Sequence, residues 1–482
     1  MAFPLAMSCG FRQLSPRSEN LSPRTAATTL TLALAVATAP RVLAQADPVV
    51  SPAAIATAPA PLAAEALTLD DALAYAATAA PALRDERLRV AVQRLRNDIA
   101  RSAYLPQAGV EVSGQHNFRL PVSIVPDFQN PESGETQAVT FGVANTLTTT
   151  FYARQLLYDP AVVRDLRLRD PLVRAAELAV AAFLRDLRAD VSAAYYEALR
   201  AREQLRLARG DSARLARNLR DAALRLDEGL DDKVPRLRAA IALNDARARA
   251  ATAAEALDTR RAQLAQLIGY AGDAQALRLA YDYDDIARRA EGAARPELRP
   301  ERRAELRQLA AEREAQAIRT DFARRSWLPT VRANYGYDFN WQADEFGALF
   351  DRTFRASYAG LSVAAPLLRG GARPLEVELA RATEARLGLR AAATTDRVEL
   401  EYATADNDLD AALAALALAR ENRDLAAEVY EVVTLQYREG IAPFLDVVVA
   451  ENDLQAARVS TVDAIIDAAV ARVELARAAE TL

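Results

Sequence analysis

The feature that most constrains this chain is a heptad pattern of mainly small and aliphatic residues that occurs twice, 211 positions apart. The first copy steps alternately by three and four residues through Val180, Leu184, Leu187, Val191, Ala194, Ala198, Ala201, Leu205, Ala208, Ser212, Leu215, Leu219, Ala222 and Leu226. The second copy has the same steps through Ala391, Thr395, Val398, Tyr402, Ala405, Leu409, Ala412, Leu416, Ala419, Arg423, Ala426, Tyr430, Val433 and Tyr437. Only Arg423 interrupts this second seam. Heptads sustained over this length predict long antiparallel coiled-coil helices.

A glycine follows each seam three residues after its last member, Gly229 in the first copy and Gly440 in the second. Pro171 and Pro374 precede the seams, and each predicts a helix start, because proline fits only the first turn of a helix. Long helices are therefore predicted over 172–228 and 375–439, about 85 and 98 Å long at a rise of about 1.5 Å per residue. Second helices over 233–268 and 444–479 are predicted to run back, so that each copy ends in an αα-hairpin.

Before each long helix the sequence predicts a shorter helix and two β-strands. The shorter helices run from about Asp70 to the triplet Tyr104-Leu105-Pro106 and from about Glu301 to the triplet Trp327-Leu328-Pro329. The predicted strands cover 107–119 and 138–152 in the first copy and 330–341 and 354–365 in the second, with loops over 120–137 and 342–352. The strand at 354–365 has the weakest alternation.

The third predicted strand alternates without a break between two kinds of side chain. One face carries Val331, Ala333, Tyr335, Tyr337, Phe339 and Trp341, and the other carries Arg332, Asn334, Gly336, Asp338 and Asn340. This period of two is expected where a strand meets lipid on one side and water on the other. We predict that Val331, Tyr335, Tyr337, Phe339 and Trp341 face lipid; a soluble hairpin packed on a core would alternate in the same way.

The chain thus contains two copies of one plan, 67–290 and 291–482, behind an export signal. Residues 1–44 form a predicted signal peptide, because Arg12, Arg17 and Arg24 precede an uncharged stretch that ends near Ala44-Gln45-Ala46. A Pro/Ala-rich linker, 45–66, follows the signal. No later segment reaches the roughly eighteen apolar residues of a spanning helix, so entry into a membrane would use β-structure. Closed barrels need about eight strands, so protomers with four strands must pool them.

Composition argues against several classes of function. The net charge is −5, with acidic and basic residues interspersed, which does not resemble a nucleic-acid-binding surface. His116 is the only histidine and lies in a predicted strand, and the only cysteine, Cys9, lies in the signal. We therefore expect no catalytic residues, no metal site and no cofactor. A secreted or periplasmic coiled-coil scaffold or adhesin remains an alternative, although it does not explain why strands and helices recur at matched spacing.

Several short motifs, taken in their order and duplication, resemble the outer-membrane efflux protein family, the TolC-like exit ducts. They are Leu67-Thr68-Leu69-Asp70-Asp71-Ala72-Leu73, the two aromatic-Leu-Pro triplets, and Tyr437-Arg438-Glu439-Gly440 followed by Leu445-Asp446-Val447 and Ala450-Glu451. The resemblance implies a mainly α fold with a membrane β-barrel part. It also implies a homotrimer in the outer membrane, with a twelve-stranded β-barrel in lipid and a periplasmic α-barrel. The implied function is a passive exit that works with a periplasmic adaptor protein and an inner-membrane RND or ABC pump.

The resemblance also implies where the duct closes and where the adaptor docks. The matching hairpin-tip residues are Arg225, Leu226 and Gly229 in the first copy and Tyr437, Arg438 and Gly440 in the second. Asp446 matches an acidic residue that rings the constriction in relatives, and three such carboxylates would favour cations. Some relatives carry a further acid and a base where this chain has Val449 and Ala442. Asp446 could equally be a solvated helix charge.

Overall fold

A computed structural model of the protein describes residues 66–126, 136–228, 232–281, 283–292 and 294–482. The predicted signal peptide, 1–44, lies outside the described residues. So do residues 45–65 of the predicted linker, and Gly229.

Two helices open the described chain, α1 (Leu69–Ala79) and α2 (Pro81–Ser102). Thr68 caps α1, because its hydroxyl accepts from the backbone N–H of Asp71 at 3.1 Å and the Asp71 carboxylate accepts from the backbone N–H of Thr68 at 3.2 Å. The prediction of one continuous helix from Asp70 to Tyr104 was wrong. Ala80 leaves the helical region, with ψ at 119°, because the ring of Pro81 disfavours helical backbone in the residue before it.

Four antiparallel strands form one sheet in the order β1-β4-β5-β6. The strands are β1 (Gln107–His116), β4 (Asn145–Tyr158), β5 (Thr330–Ala343) and β6 (Thr353–Ala364). Strand β1 pairs with β4, β4 with β5, and β5 with β6. The pairing of β4 with β5 joins the two sequence copies.

The first copy departs from the predicted strands between β1 and β4. Strands β2 (Val122–Pro126) and β3 (Thr136–Thr140) form a separate two-stranded sheet, where a loop was predicted over 120–137. The single strand predicted over 138–152 is therefore divided between two sheets. Gly142, at φ +106°, lies between β3 and β4 in a backbone conformation that side chains rarely adopt, and this redirects the chain.

The first long hairpin consists of α3 (Pro160–Asp227) and α4 (Lys233–Ile268). The predicted helix start after Pro171 was wrong, because α3 begins at Pro160 and passes through Pro171. Asp159 caps this earlier start by accepting from the backbone N–H of Ala161 at 2.8 Å, and Pro160 occupies the first helical position. Pro171 itself is buried, so tertiary packing offsets the backbone hydrogen bond that its ring removes.

The boundary between the two copies falls within α5 (Tyr283–Gly292), and the second copy continues with α6 (Ala304–Arg324), α7 (Ala372–Arg438) and α8 (Phe444–Ala478). Short 3-10 segments lie at Ala274–Ala276, Pro300–Arg302 and Phe346–Ala348. Pro374 falls in the first turn of α7, where its missing N–H has no intrahelical partner to lose. Helices α3 and α7 contain 68 and 67 residues, or about 100 Å each.

Both heptad seams lie on the packed sides of their helices. Every seam residue from Val180 to Leu226 and from Ala391 to Tyr437 is buried or half-buried, which confirms the predicted seams. Arg423 is accommodated because its guanidinium turns to the carboxylate of the adjacent Asp424, at 2.7 and 2.9 Å. The largest core cluster joins α1, α2, α3, α4, α5, α7 and α8, and includes Leu83, Leu199, Leu264 and Ile466.

None of the helices in the described part of the chain combines the length and hydrophobicity that crossing a bilayer requires.

Candidate functional site at the hairpin tips

The tips of the two long hairpins meet in a small apolar cluster. Buried Ala222 on α3, Ala239 on α4 and Phe444 on α8 form its centre. Leu219, Tyr437 and Val448 pack around them. All four long helices therefore contribute to one contact, and the first and second sequence copies are joined at this end of the molecule.

Arg225 and Tyr437, predicted tip residues of different copies, lie in direct contact. The Arg225 guanidinium carbon is 5.0 Å from the centre of the Tyr437 ring, within the range of a cation–π interaction. The same ring lies 5.5 Å from the ring of Phe444. Tyr437 thus occupies the centre of the tip, between the charge of one hairpin and the apolar cluster of both.

Gly440 forms the turn at the second tip. Its φ of +76° is in the left-handed region, and α7 ends through two backbone hydrogen bonds. The N–H of Gly440 donates to the carbonyl of Tyr437 at 3.0 Å, and the N–H of Ile441 donates to the carbonyl of Gln436 at 2.8 Å. This pair of bonds is a Schellman motif, which favours glycine at this position.

The other predicted tip residues differ in their exposure to solvent. Leu226 is half-buried, whereas Arg438 and Asp446 are exposed. Asp446 lies in the first turn of α8, where the positive end of the helix dipole favours a carboxylate. Gly229 lies outside the described residues. Sequence reasoning overlooked Phe444, whose position directly after Pro443, at the start of a predicted helix, was the available signal.

A second charged centre that the sequence did not predict lies far from the tips along the helices. The side chain of Arg185 on α3 is 5% exposed and that of Arg303, just before α6, is 1% exposed. Arg185 donates to the Glu305 carboxylate at 2.8 and 3.0 Å and to Glu480 at 2.8 Å. Arg303 donates to Glu401 at 3.0 Å and to the carbonyl of Ala478 at 2.9 Å.

The electrostatics of this centre are those of a structural ion cluster. Burial raises the pKa of Glu305, but the hydrogen bond and charge of Arg185 and the charge of Arg303 outweigh burial and lower that pKa to about 2. Glu305 is therefore ionised at neutral pH. The cluster ties α3, α6 and α7 to the end of α8.

The predicted lipid-facing residues share one face of β5. The ring of Phe339 lies 5.1 Å from Tyr337, 6.1 Å from Trp341 and 6.0 Å from Phe151 on the neighbouring strand β4. Val331 and Tyr335 fall on the same face because they are separated from these residues by even steps. The residues thus form one apolar, aromatic surface across two strands.

His116 has a local role at the end of β1. Its Nδ1 lies 2.7 Å from the amide oxygen of Asn145, and its ring packs edge-on against Phe118 at 4.8 Å. Within the described ranges there is no group of three or more His, Cys, Asp or Glu side chains that could hold a metal ion.

Comparison with known proteins agrees with this architecture. Residues 297–480 match the family model of the outer membrane efflux protein. Protein CyaE of Bordetella pertussis is 29% identical over 353 residues, which cover 71% of each chain.

Among solved structures, the fold is similar to the CmeC outer membrane channel of Campylobacter jejuni, with a TM-score of 0.66 and 14% identity over 85% of each chain. It is also similar to the MtrE outer membrane channel of Neisseria gonorrhoeae, with a TM-score of 0.62 and 17% identity. That match covers 85% of this chain and 88% of MtrE. The fold, with its duplicated plan and joined hairpin tips, is thus similar to that of outer-membrane channels, and the second half of the chain matches the outer membrane efflux protein family.

Proposed function

We propose that three copies of this chain form a passive exit duct in the outer membrane, closed at the hairpin tips until a periplasmic adaptor protein engages them. In this proposal an inner-membrane RND or ABC pump supplies the energy and the cargo. The names of CmeC and MtrE describe outer-membrane channels, which supports the assignment.

The four-stranded sheet is the observation that carries this proposal. Strands β1 and β6 lie at its two edges, and each has one side unpaired among the residues that the structure describes. Unpaired edges are open to pairing with another chain, and a closed barrel removes them. Three protomers would supply twelve strands, and the face of Val331, Tyr335, Tyr337, Phe339 and Trp341 would meet lipid.

The long helices support association of copies of the chain. Helix α7 carries a row of exposed large apolar side chains on the side away from its seam: Leu375, Leu379, Leu389, Leu400, Leu418, Leu425, Val429, Val432 and Leu435. Many exposed large apolar side chains on one side of a helix favour an interaction site there. A neighbouring protomer in a helical barrel would cover it.

The tip contact supports closure at the periplasmic end. Arg225 and Tyr437 bridge the two hairpins of one protomer, and Gly440 holds the turn next to them. An adaptor that binds Leu226, Arg438 and Gly229 could separate the hairpins by competing for these contacts. Asp446, exposed at the start of α8, would then line the passage as a ring of three carboxylates.

Planar-bilayer recording of the purified complex tests this function. We expect discrete conductance steps without any nucleotide, and larger conductance in Arg225→Ala, which loses the cation–π contact with Tyr437. Arg225→Lys is the matched control, since it keeps a cation over the ring. Absence of conductance steps in both the wild type and Arg225→Ala would contradict the duct and favour the coiled-coil scaffold.

A further inference from the structure

A compact charged cluster joins the two hairpins behind the tips. Asp211, Arg214 and Asn218 on α3 face Glu451 on α8. Glu451 lies seven residues after Phe444, or about 10 Å along the helix from the tip cluster. Neither the tip contact nor the proposed constriction uses these residues.

The contacts within this cluster leave one carboxylate oxygen unsatisfied. Arg214 Nε donates to Glu451 Oε1 at 3.2 Å, and Asn218 Nδ2 donates to Glu451 Oε2 at 3.0 Å. Arg214 Nη2 also donates to Asp211 Oδ1. Asp211 Oδ2 is buried and has no hydrogen-bond partner among the residues that the structure describes. Asp211 is 3% exposed and Glu451 is 4% exposed.

Charged and titratable groups from all four long helices surround the two carboxyls. Arg214 belongs to α3, Arg249 to α4, Tyr430 to α7 and Arg458 to α8. Burial raises the pKa of Asp211, and the charges of Arg214, Arg458 and Arg249 only partly oppose it. Burial also raises the pKa of Glu451, the charge of Asp211 adds to this effect, and the hydrogen bonds from Arg214 and Asn218 oppose it.

Arg458 contributes a positive charge, but in the part of the chain that the structure describes the hydrogen bonds to the two carboxyls come from Arg214 and Asn218. Burial and the nearby charge of Arg214 lower the pKa of Arg458, whereas Asp211, Tyr430 and Glu451 oppose that shift. Two carboxyls therefore share one well-placed guanidinium, that of Arg214. A buried carboxylate oxygen without a partner is costly, and protonation removes that cost.

We propose that Asp211 and Glu451 form a proton-binding site that joins the two hairpins and tightens their contact when the periplasm becomes acidic. The proton binds a carboxylate oxygen of this pair, with Asp211 Oδ2 as the oxygen that lacks a partner. The consequence for gating rests on the proposed duct. The proton site itself does not.

The direction of the pH effect follows from the raised pKa values. When the hairpins separate, water reaches both carboxyls, and their pKa values return towards the ordinary 3.8 and 4.5. The joined state therefore binds protons more tightly than the separated state. The extra stability of the joined state is fully present below the ordinary pKa values of the two carboxyls. It is lost as the pH rises through their raised pKa values.

Infrared difference spectroscopy of the purified, detergent-solubilised protein detects this proton. During a pH titration we expect a protonated-carboxyl C=O band that persists above the ordinary carboxyl range. This band should lose the intensity of two carboxyls in Asp211→Asn with Glu451→Gln, whereas Asp190 and Asp463, whose pKa values burial also raises, keep their share of it. Asp221→Asn and Asp453→Asn, exposed positions on the same two helices, are the matched controls and should retain it.

The spectroscopic result decides the proton site whether or not the protein conducts ions. Loss of band intensity in the double variant and not in the control variants supports the site. A band of unchanged intensity in the double variant, or no wild-type band above the ordinary range, overturns it. Asparagine and glutamine have nearly the shapes of the acids they replace, and the mass of the complex checks that each variant assembles.

Bilayer recording then tests the coupling to the tips. In the wild type we expect less opening at acid pH. In Asp211→Asn, whose side chain remains uncharged, we expect low opening at every pH. If a pH-dependent transition in opening remains, its midpoint should shift by at least about one pH unit. Unchanged pH dependence in Asp211→Asn would overturn the coupling. Absence of conductance in the wild type, with the infrared band intact, would instead contradict the proposed duct.

Discussion

Arg303 illustrates how individual residues hold this fold together. Its side chain is almost entirely buried, yet its guanidinium donates hydrogen bonds to Glu401, to Glu305 and to two backbone carbonyls at the end of α8. A buried charge is tolerated only when it is paired and hydrogen-bonded in this way. The centre therefore contributes to how α3, α6, α7 and α8 are positioned rather than to transport.

Substitution of Glu305 tests the role of that centre. Glu305→Gln should destabilise the protein by about 3 kcal/mol at neutral pH, because a pKa lowered from 4.5 to about 2 corresponds to that stabilisation. The contribution is full above the ordinary pKa and is lost as the pH falls towards 2. Thermal unfolding followed by circular dichroism, at neutral and acid pH, measures both effects.

The matched control is Glu301→Gln, at an exposed position just before α6. It should leave the thermal midpoint unchanged. Equal midpoints for Glu305→Gln and Glu301→Gln at neutral pH would contradict a stabilising role for the cluster.

Asp446 carries the prediction about ion selectivity. Three carboxylates brought together by threefold symmetry would attract cations, so Asp446→Asn should lower the ratio of cation to anion permeability roughly fivefold, as the loss of about 1 kcal/mol implies. Reversal potentials in a salt gradient give this ratio. Asp453→Asn, exposed two turns further along α8, is the control, and an unchanged ratio in Asp446→Asn would place the selective ring elsewhere.

Some of these residues could be identified from the sequence and others could not. Tyr437 and Arg225 could be identified because they match hairpin-tip positions in the family that the sequence resembles, and the structure brings them together. Arg303, Asp211 and Glu451 are charged residues among many others. Only the packing of four helices determines which charges are buried, so periodicity in one helix does not reveal them.

Among the elements, the turn after α7 depends most strongly on one residue. Gly440 has φ at +76°, and its N–H bonds to the carbonyl of Tyr437, so Gly440→Pro loses both the backbone conformation and the donor. We expect faster hydrogen–deuterium exchange over 436–446 and impaired export, with exchange in β4 and β5 unchanged. Gly440→Asn, which tolerates the left-handed region, should behave nearly as the wild type. Unaltered exchange at the tip in Gly440→Pro would show that the turn is not critical.

The long helices were predictable because a coiled coil repeats one physical requirement along its whole length. Each seam residue must be packed, and the structure buries or half-buries every one of them. Helix starts were less predictable. Pro171 marks a plausible start, but the capping of α3 by Asp159 and the packing of Leu168 and Ala175 extend the helix through the proline. Local signals therefore give way where tertiary contacts oppose them.

The predicted boundaries of the strand over 138–152 were wrong for a different reason. Alternation continues across 138–152, so the pattern alone does not show that Gly142 divides it between β3 and β4. The alternation of side chains determines which face of the sheet a residue occupies, whereas the turns between strands determine which sheet a strand joins. The sequence consequently predicted the main sheet but not the small β2-β3 sheet.

At the scale of the whole molecule, the exposed row on α7 should be an interface between protomers. Leu400→Glu places a charge where a neighbouring chain would bury it, and we expect it to weaken assembly by roughly 3 kcal/mol per interface while leaving the single chain folded. Asp408→Arg changes an exposed charge on the flank of the same helix and serves as control. Analytical ultracentrifugation in detergent measures the fraction of trimer, which should be lower for Leu400→Glu than for Asp408→Arg. Equal trimer fractions in the two variants would contradict the interface.

The mass of the complex extracted from outer membranes tests the central claim most directly. Four strands with two open edges in one chain require partners, and the account predicts that native mass spectrometry in detergent will find three copies of the mature chain. Recovery of the protein as a monomer in the soluble periplasmic fraction would contradict it.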